Sequence, residues 1–188
     1  MITIARAEGV DWGPLKDLTA KAYFLLAENH KLPPMKIFLE KTSPVGAGLG
    51  GGSSDAAHAL RMISDLAGLG LDDAALASFA ARLGSDCAFF VYDRPMIGEG
   101  RGEILTPYDL DLADYEIKIV VPPDLTVSTA EAYRGITPRA LLEDQGMPLR
   151  EALARPVGEW KDCLVNDFEK TVFALHPEIE SVKRSLYD

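Results

Sequence analysis

The sequence predicts an α+β fold, and three observations carry that expectation. Helical and strand-like periodicities are interspersed along the chain without a regular parallel β-α-β order. A glycine-rich run sits between a strand-like segment and a helical one. Apolar residues make up 47% and charged residues 26% of 188 residues, ordinary values for a chain that buries a real core.

Taken in order, Leu15–Glu28 places Leu15, Leu18, Ala22, Leu25 and Leu26 at a helical period, and Lys31-Leu-Pro-Pro34 stops it. Met35–Glu40 reads as a strand from its aromatic and β-branched content. A helix is expected from Ser53 or Ser54 to about Leu66, with Ala56, Ala59, Leu60, Ile63, Leu66 and Ala67 inward. Gly68-Leu-Gly70 breaks it, and Asp72 caps a second helix burying Leu76, Phe79, Ala80 and Leu83, with Gly84 at C′. Ala88–Tyr92 is expected to be a buried strand, and Met96–Leu105 two short strands around Gly98-Glu-Gly-Arg-Gly102. Tyr115–Val121 (Tyr-Glu-Ile-Lys-Ile-Val-Val) is expected to be the clearest strand in the chain, closed by Pro122-Pro123. Beyond it the chain turns helical. Ser128 caps a short helix through Tyr133, Arg139–Glu143 and Asn166–Leu175 suggest two more, and Pro177 starts a last one towards Tyr187.

Charge and composition exclude several classes. Nineteen Lys and Arg stand against 29 Asp and Glu, a formal net charge of −10. General nucleic-acid binding depends on neutralising phosphates with cations, so no nucleic-acid partner is expected. A nucleotide remains possible, because oriented backbone amides hold phosphate without basic side chains. No stretch approaches the roughly 20 apolar residues of a membrane helix, so no membrane partner is expected. Met1-Ile-Thr-Ile-Ala-Arg lacks the basic start and apolar run of a signal peptide. Cys87 and Cys163 are too few for a disulfide framework, which fits a cytoplasmic location.

The chemistry-bearing segment is Pro44-Val-Gly-Ala-Gly-Leu-Gly-Gly-Gly-Ser-Ser54. Gly46, Gly48, Gly50, Gly51 and Gly52 free the backbone to adopt positive φ and to approach a ligand closely. The helix that follows opens with amides it cannot satisfy itself. Strand, glycine loop and helix N-terminus in that order make an anion site. A Walker loop would need Lys after the glycines, and none is there. Gly46-x-Gly48-x-x-Gly51 matches a dinucleotide pattern, but a Rossmann unit needs a strand after the helix, where another helix is expected. A glycine turn without a ligand is the bland alternative, and it would spend much chain entropy on a mere turn.

The same run resembles the loop of the galactokinase, homoserine kinase, mevalonate kinase and phosphomevalonate kinase superfamily, with one extra glycine. Within it, Lys41-Thr-Ser-Pro-Val-Gly-Ala-Gly-Leu-Gly-Gly-Gly-Ser-Ser-Asp-Ala-Ala57 is similar to the 4-diphosphocytidyl-2-C-methyl-D-erythritol kinases of the non-mevalonate isoprenoid route. Further blocks agree in the same order: Leu83-Gly-Ser-Asp-Cys-Ala-Phe-Phe90, Gly98–Pro107, Val127–Tyr133 and Asn166-Asp-Phe-Glu169. The resemblance implies ATP as phosphoryl donor, Mg2+, and a small-molecule substrate with a cytidine diphosphate group. It implies that Lys41, Pro44, Val45, Gly46, Ala47, Gly48, Leu49, Gly50, Gly51, Gly52, Ser53 and Ser54 bind ATP. Asp86 matches the family's catalytic aspartate, positioned to accept the proton of the attacking hydroxyl. Read alone, Gly84-Ser85-Asp86 equally suits a helix cap. Tyr133 matches the aromatic residue on which the cytosine stacks, and otherwise packs a short helix. Arg101 suits a substrate phosphate or an exposed turn, and Ser54 a metal contact, while His58 reads as a helix-face residue.

By the same resemblance, residues 1–122 correspond to a nucleotide-binding N-terminal domain and 123–188 to the start of a C-terminal one. Two family segments find no counterpart. One is a first strand with lysine in an Ala-Lys-Ile-Asn-like setting, followed by Gly-Tyr-His; the other is a Gly- and Ser-rich loop after the final helix. A kinase truncated at both ends is therefore expected, with a non-catalytic nucleotide-binding fragment or another superfamily kinase as alternatives. Metal ligands and oligomeric state stay open.

Overall fold

A computed structural model describes residues 2–6, 13–42, 47–122, 125, 127–136 and 146–187. Two compact units are distinguished, Met1–Ile119 and Val120–Asp188.

In the first unit, β1 (Ile2–Arg6) pairs in parallel with β2 (Met35–Leu39), placing Ile4 opposite Ile37. Between them runs α1 (Leu18–Ala27), so the fold contains one parallel β-α-β unit. The Asp17 side chain starts α1 by accepting from the Thr19 amide at 2.9 Å and the Thr19 hydroxyl at 2.7 Å. Next come α2 (Gly51–Leu66), α3 (Asp73–Leu83) and α4 (Cys87–Tyr92). An antiparallel hairpin follows, β3 (Met96–Glu99) with β4 (Ile104–Pro107). The core lies among the four helices, where Leu26, Leu60, Leu76 and Cys87 are fully buried. Alanines at 22, 56, 59, 77 and 80 let the helices approach closely around those larger side chains.

Six expectations on this unit are corrected. The first helix starts at Leu18, leaving Leu15 exposed before it, and Leu66, expected inward, is exposed at the end of α2. Ala88–Tyr92 is helical, not a strand. Cys87, Ala88 and Val91 are buried while Phe89 is exposed, and that three-residue spacing belongs to a helix packed on α2 and α3. Tyr115–Val121 forms no strand. It finds no partner among the described residues, and Ile117 is 89% exposed, so strand-like composition alone does not make a strand. The loop helix starts at Gly51, two residues before Ser53, because Gly50 supplies the left-handed turn that begins it. Gly84 is the C-cap of α3 in extended geometry (φ −177°), where it leaves room for the Cys87 thiol. The Met96–Leu105 hairpin and the Asp72 cap, accepting from the Ala75 amide at 2.8 Å, are as expected.

The second unit is helical among the described residues. It contains α5 (Thr129–Arg134), α6 (Leu149–Leu153), α7 (Trp160–Cys163), α8 (Glu169–Leu175) and α9 (Pro177–Ser185). Ser128 caps α5 by accepting from the Glu131 amide at 3.1 Å. α8 starts at Glu169, later than expected, after an Asn166 side chain that accepts from the Phe168 amide. The helix anticipated at Arg139–Glu143 lies outside the described residues. Among the described residues no helix is long and apolar enough to cross a membrane.

Candidate active site

The glycine run meets α2 at a residue that only glycine suits. Gly50 has φ +69°, and a Cβ there would stand 2.7 Å from Cζ of Phe90. Gly48, at φ +74°, makes a second left-handed turn two residues earlier. No side chain caps α2, and its first internal bond runs from the Ser54 amide to the Gly50 carbonyl at 2.9 Å. The amides of Gly51, Gly52 and Ser53 therefore have no carbonyl within the helix. They form the positive end of a 16-residue helix.

The sequence-derived ATP residues fall as follows. Pro44, Val45 and Gly46 lie outside the described residues. Ala47, Gly48 and Leu49 form the exposed turn, Gly50 the helix cap, and Gly51, Gly52, Ser53 and Ser54 the first turn of α2. Lys41, two residues beyond β2, has its ammonium paired with the Asp55 carboxylate. His58 is exposed and its Nδ1 bonds the Ser54 carbonyl at 2.9 Å, a local helix-face contact.

Asp86 opens onto the same place. A cavity of about 320 Å³ is lined by Gly48, Leu49 and Gly50 of the loop, by Asp86, and by Gly98 and Gly102 of the hairpin. Phe89, Phe90, Met96 and Leu105 supply its apolar wall. Asp86 is exposed and occupies the N-cap position of α4, yet its side chain makes no cap hydrogen bond. It forms no ion pair among the described residues. A Cβ on Gly102 would lie 3.5 Å from Asp86 Oδ1, so the hairpin backbone stands beside the carboxylate with nothing filling the gap.

The neighbouring Cys87 is buried, and burial pushes its thiol pKa up. A hydrogen bond with Ser53 opposes that shift and the adjacent Asp86 charge adds to it. One thiol thus sits between the first turn of α2 and the Asp86 carboxylate. Across the hairpin turn, the Glu103 carboxylate is held below the usual range. Its own backbone amide and the Arg101 amide donate to it, the latter at 2.6 Å, and the Arg101 charge assists. Arg101 itself is exposed at the turn.

Tyr133 belongs to the second unit. It is exposed on α5, and its ring meets Phe168 edge-on with centroids 4.9 Å apart. Among the described residues no cluster of three His, Cys, Asp or Glu side chains is arranged for a metal ion. Sequence reasoning missed Phe89, Phe90 and Gly102 as cavity walls. The pair Phe89-Phe90 was legible only as core, since an assumed strand hid the helix that turns one ring onto Gly50.

Residues 17–94 match the family model described as the GHMP kinases N terminal domain. A protein of Bacteroides fragilis named 4-diphosphocytidyl-2-C-methyl-D-erythritol kinase is 47% identical over 174 residues, 93% of this chain and 62% of that one. The chain is similar to GHMP kinases. Similarly named kinases of Parabacteroides distasonis and Nitratidesulfovibrio vulgaris are 43% and 35% identical, over 95% and 98% of this chain. A crystal structure of 4-(cytidine 5'-diphospho)-2C-methyl-D-erythritol kinase is 28% identical with a TM-score of 0.68, covering 97% of this chain and 63% of that one. The chain thus spans about three fifths of the length of the curated relatives it matches. The α+β fold expected from the sequence is the fold found.

Proposed function

We propose that the chain takes part in ATP-dependent phosphorylation of a hydroxyl of 4-diphosphocytidyl-2-C-methyl-D-erythritol. The observation that carries this reading is the cavity in which Asp86 faces the glycine loop. The names of relatives up to 47% identical supply the substrate. In this reading residues 1–122 hold the nucleotide and 123–188 begin the part that meets the substrate base. The two free cysteines fit a cytoplasmic setting.

The donor set suits a polyphosphate: left-handed turns at Gly48 and Gly50, then the open amides of Gly51, Gly52 and Ser53. Pro44 to Ser54 would line the phosphates, with main-chain donors from the non-proline residues of the loop and the first turn of α2. Mg2+ would supply charge neutralisation at the phosphates, and Ser54, at the mouth of the site, is the residue that would meet it. Asp86 receives the proton of the substrate hydroxyl as its oxygen bonds the γ-phosphorus and ADP departs. Its freedom from capping leaves both carboxylate oxygens available for that proton. Gly102 keeps a side chain out of the space beside Asp86, where the hydroxyl would stand. Tyr133 offers an exposed ring for the cytosine, with Phe168 bracing its edge.

The test is ADP release by the purified chain with ATP, Mg2+ and the cytidine-linked polyol. Turnover is expected to fall at least about 100-fold in Asp86→Asn, the usual scale for a general base. Equal rates in both proteins would refute the assignment of Asp86. Saturable ATP binding with no turnover would favour a binding-only role, and turnover of mevalonate or homoserine alone would favour another superfamily activity.

A further inference from the structure

Lys41 and Asp55 flank the glycine loop, one two residues after β2 and the other in the second turn of α2. Their side chains form an ion pair in which Lys41 is 11% and Asp55 30% exposed. Every other lysine or arginine pair among the described residues has a cation at least 39% exposed. Screening by water is therefore weakest at this pair, and its coupling is expected to exceed that of a surface bridge.

Two physical consequences follow from its position. The contact ties together the ends of a stretch whose glycines carry a large entropy of ordering, and closing those ends removes part of that entropy beforehand. In addition, Asp55 places a negative charge in the second turn of the helix whose N-terminus would receive phosphate. An uncompensated carboxylate there would repel the ligand, and the Lys41 ammonium cancels it.

We propose that Lys41 and Asp55 form a latch that presets the phosphate loop, with Lys41 acting as a positioning residue through Asp55 and not as a phosphate ligand. The proposal rests on the reading that residues 44–54 hold the ATP phosphates. It separates two roles for one lysine that sequence similarity merges.

The experiment compares the full chain with Lys41→Met, Asp55→Asn and the exchanged pair Lys41→Asp/Asp55→Lys. Backbone amide exchange over Gly48–Ser54 and ATP binding by titration are read for each. Either single change is expected to speed loop exchange and weaken ATP binding about tenfold, and the exchanged pair to restore both to within about threefold. An exchanged pair with restored protection that binds ATP as weakly as Lys41→Met would show direct phosphate contact by Lys41 and overturn the proposal. Unchanged loop exchange in both single variants would overturn it as well. The expected exchange pattern in a wild-type chain that binds no ATP would keep the latch and refute the nucleotide reading instead. If the single variants fail to fold and the exchanged pair folds, the latch is supported; the converse overturns it.

Discussion

Replacing Gly50 with alanine tests the geometry on which the loop depends. The residue has φ +69°, a region that costs an L-amino acid about 1 kcal/mol or somewhat more. The added methyl would also stand 2.7 Å from Cζ and 3.0 Å from Cε2 of Phe90, closer than any stable contact. The ring has to move, and it is partly buried against the helical core, so its displacement adds about 1 kcal/mol. The two terms together predict a loss of about 2 kcal/mol in Gly50→Ala. They separate in a Phe90→Leu background, where the shorter side chain makes room and only the backbone cost of about 1 kcal/mol remains. Urea denaturation of the four proteins followed by circular dichroism measures the cycle. A coupling near zero would mean that the methyl does not reach Phe90. A loss under about 0.5 kcal/mol in both backgrounds would mean that Gly50 is not left-handed, and the loop conformation would have to be abandoned.

Leu60 is fully buried among the helices, so Leu60→Ala is expected to cost about 2–5 kcal/mol in the same denaturation assay. The Cys87 thiol is buried with its pKa pushed up, whereas Cys163 is partly exposed; iodoacetamide at neutral pH should alkylate Cys163 first, as mass spectrometry of partly modified protein would show. Glu103 has a folded pKa below its unfolded value, so its contribution to the hairpin is complete above the ordinary glutamate range and is lost as pH falls through the lower folded value. The stability gap between wild type and Glu103→Gln should accordingly shrink on acidification, and a gap that widens would contradict the hydrogen bonds drawn to that carboxylate.

Sequence alone determined those features whose signals are local. The glycine run announces left-handed turns because most other residues adopt them only at a cost, and Gly48 and Gly50 do so. Asp72 and Ser128 cap the helices they were expected to cap, since a side-chain oxygen reaches an amide three residues ahead whatever surrounds it. The inward faces of α2 and α3 follow from a 3.6-residue period, which Leu60, Ile63, Leu76 and Ala80 obey, while Leu66 at the end of α2 is exposed. Tertiary structure decided whatever required a distant partner. Cys87–Tyr92 is short and apolar throughout, so only packing against α2 and α3 makes it helical. Tyr115–Val121 reads like a strand, but among the described residues no neighbour pairs with it. Pairing of Ile2–Arg6 with Met35–Leu39 joins segments about 30 residues apart, beyond the reach of any local signal. The approach of Asp86 to the loop, of Phe90 to Gly50 and of Lys41 to Asp55 has the same origin. Each is a meeting through space of residues distant in sequence, created when the helices bury their apolar faces together.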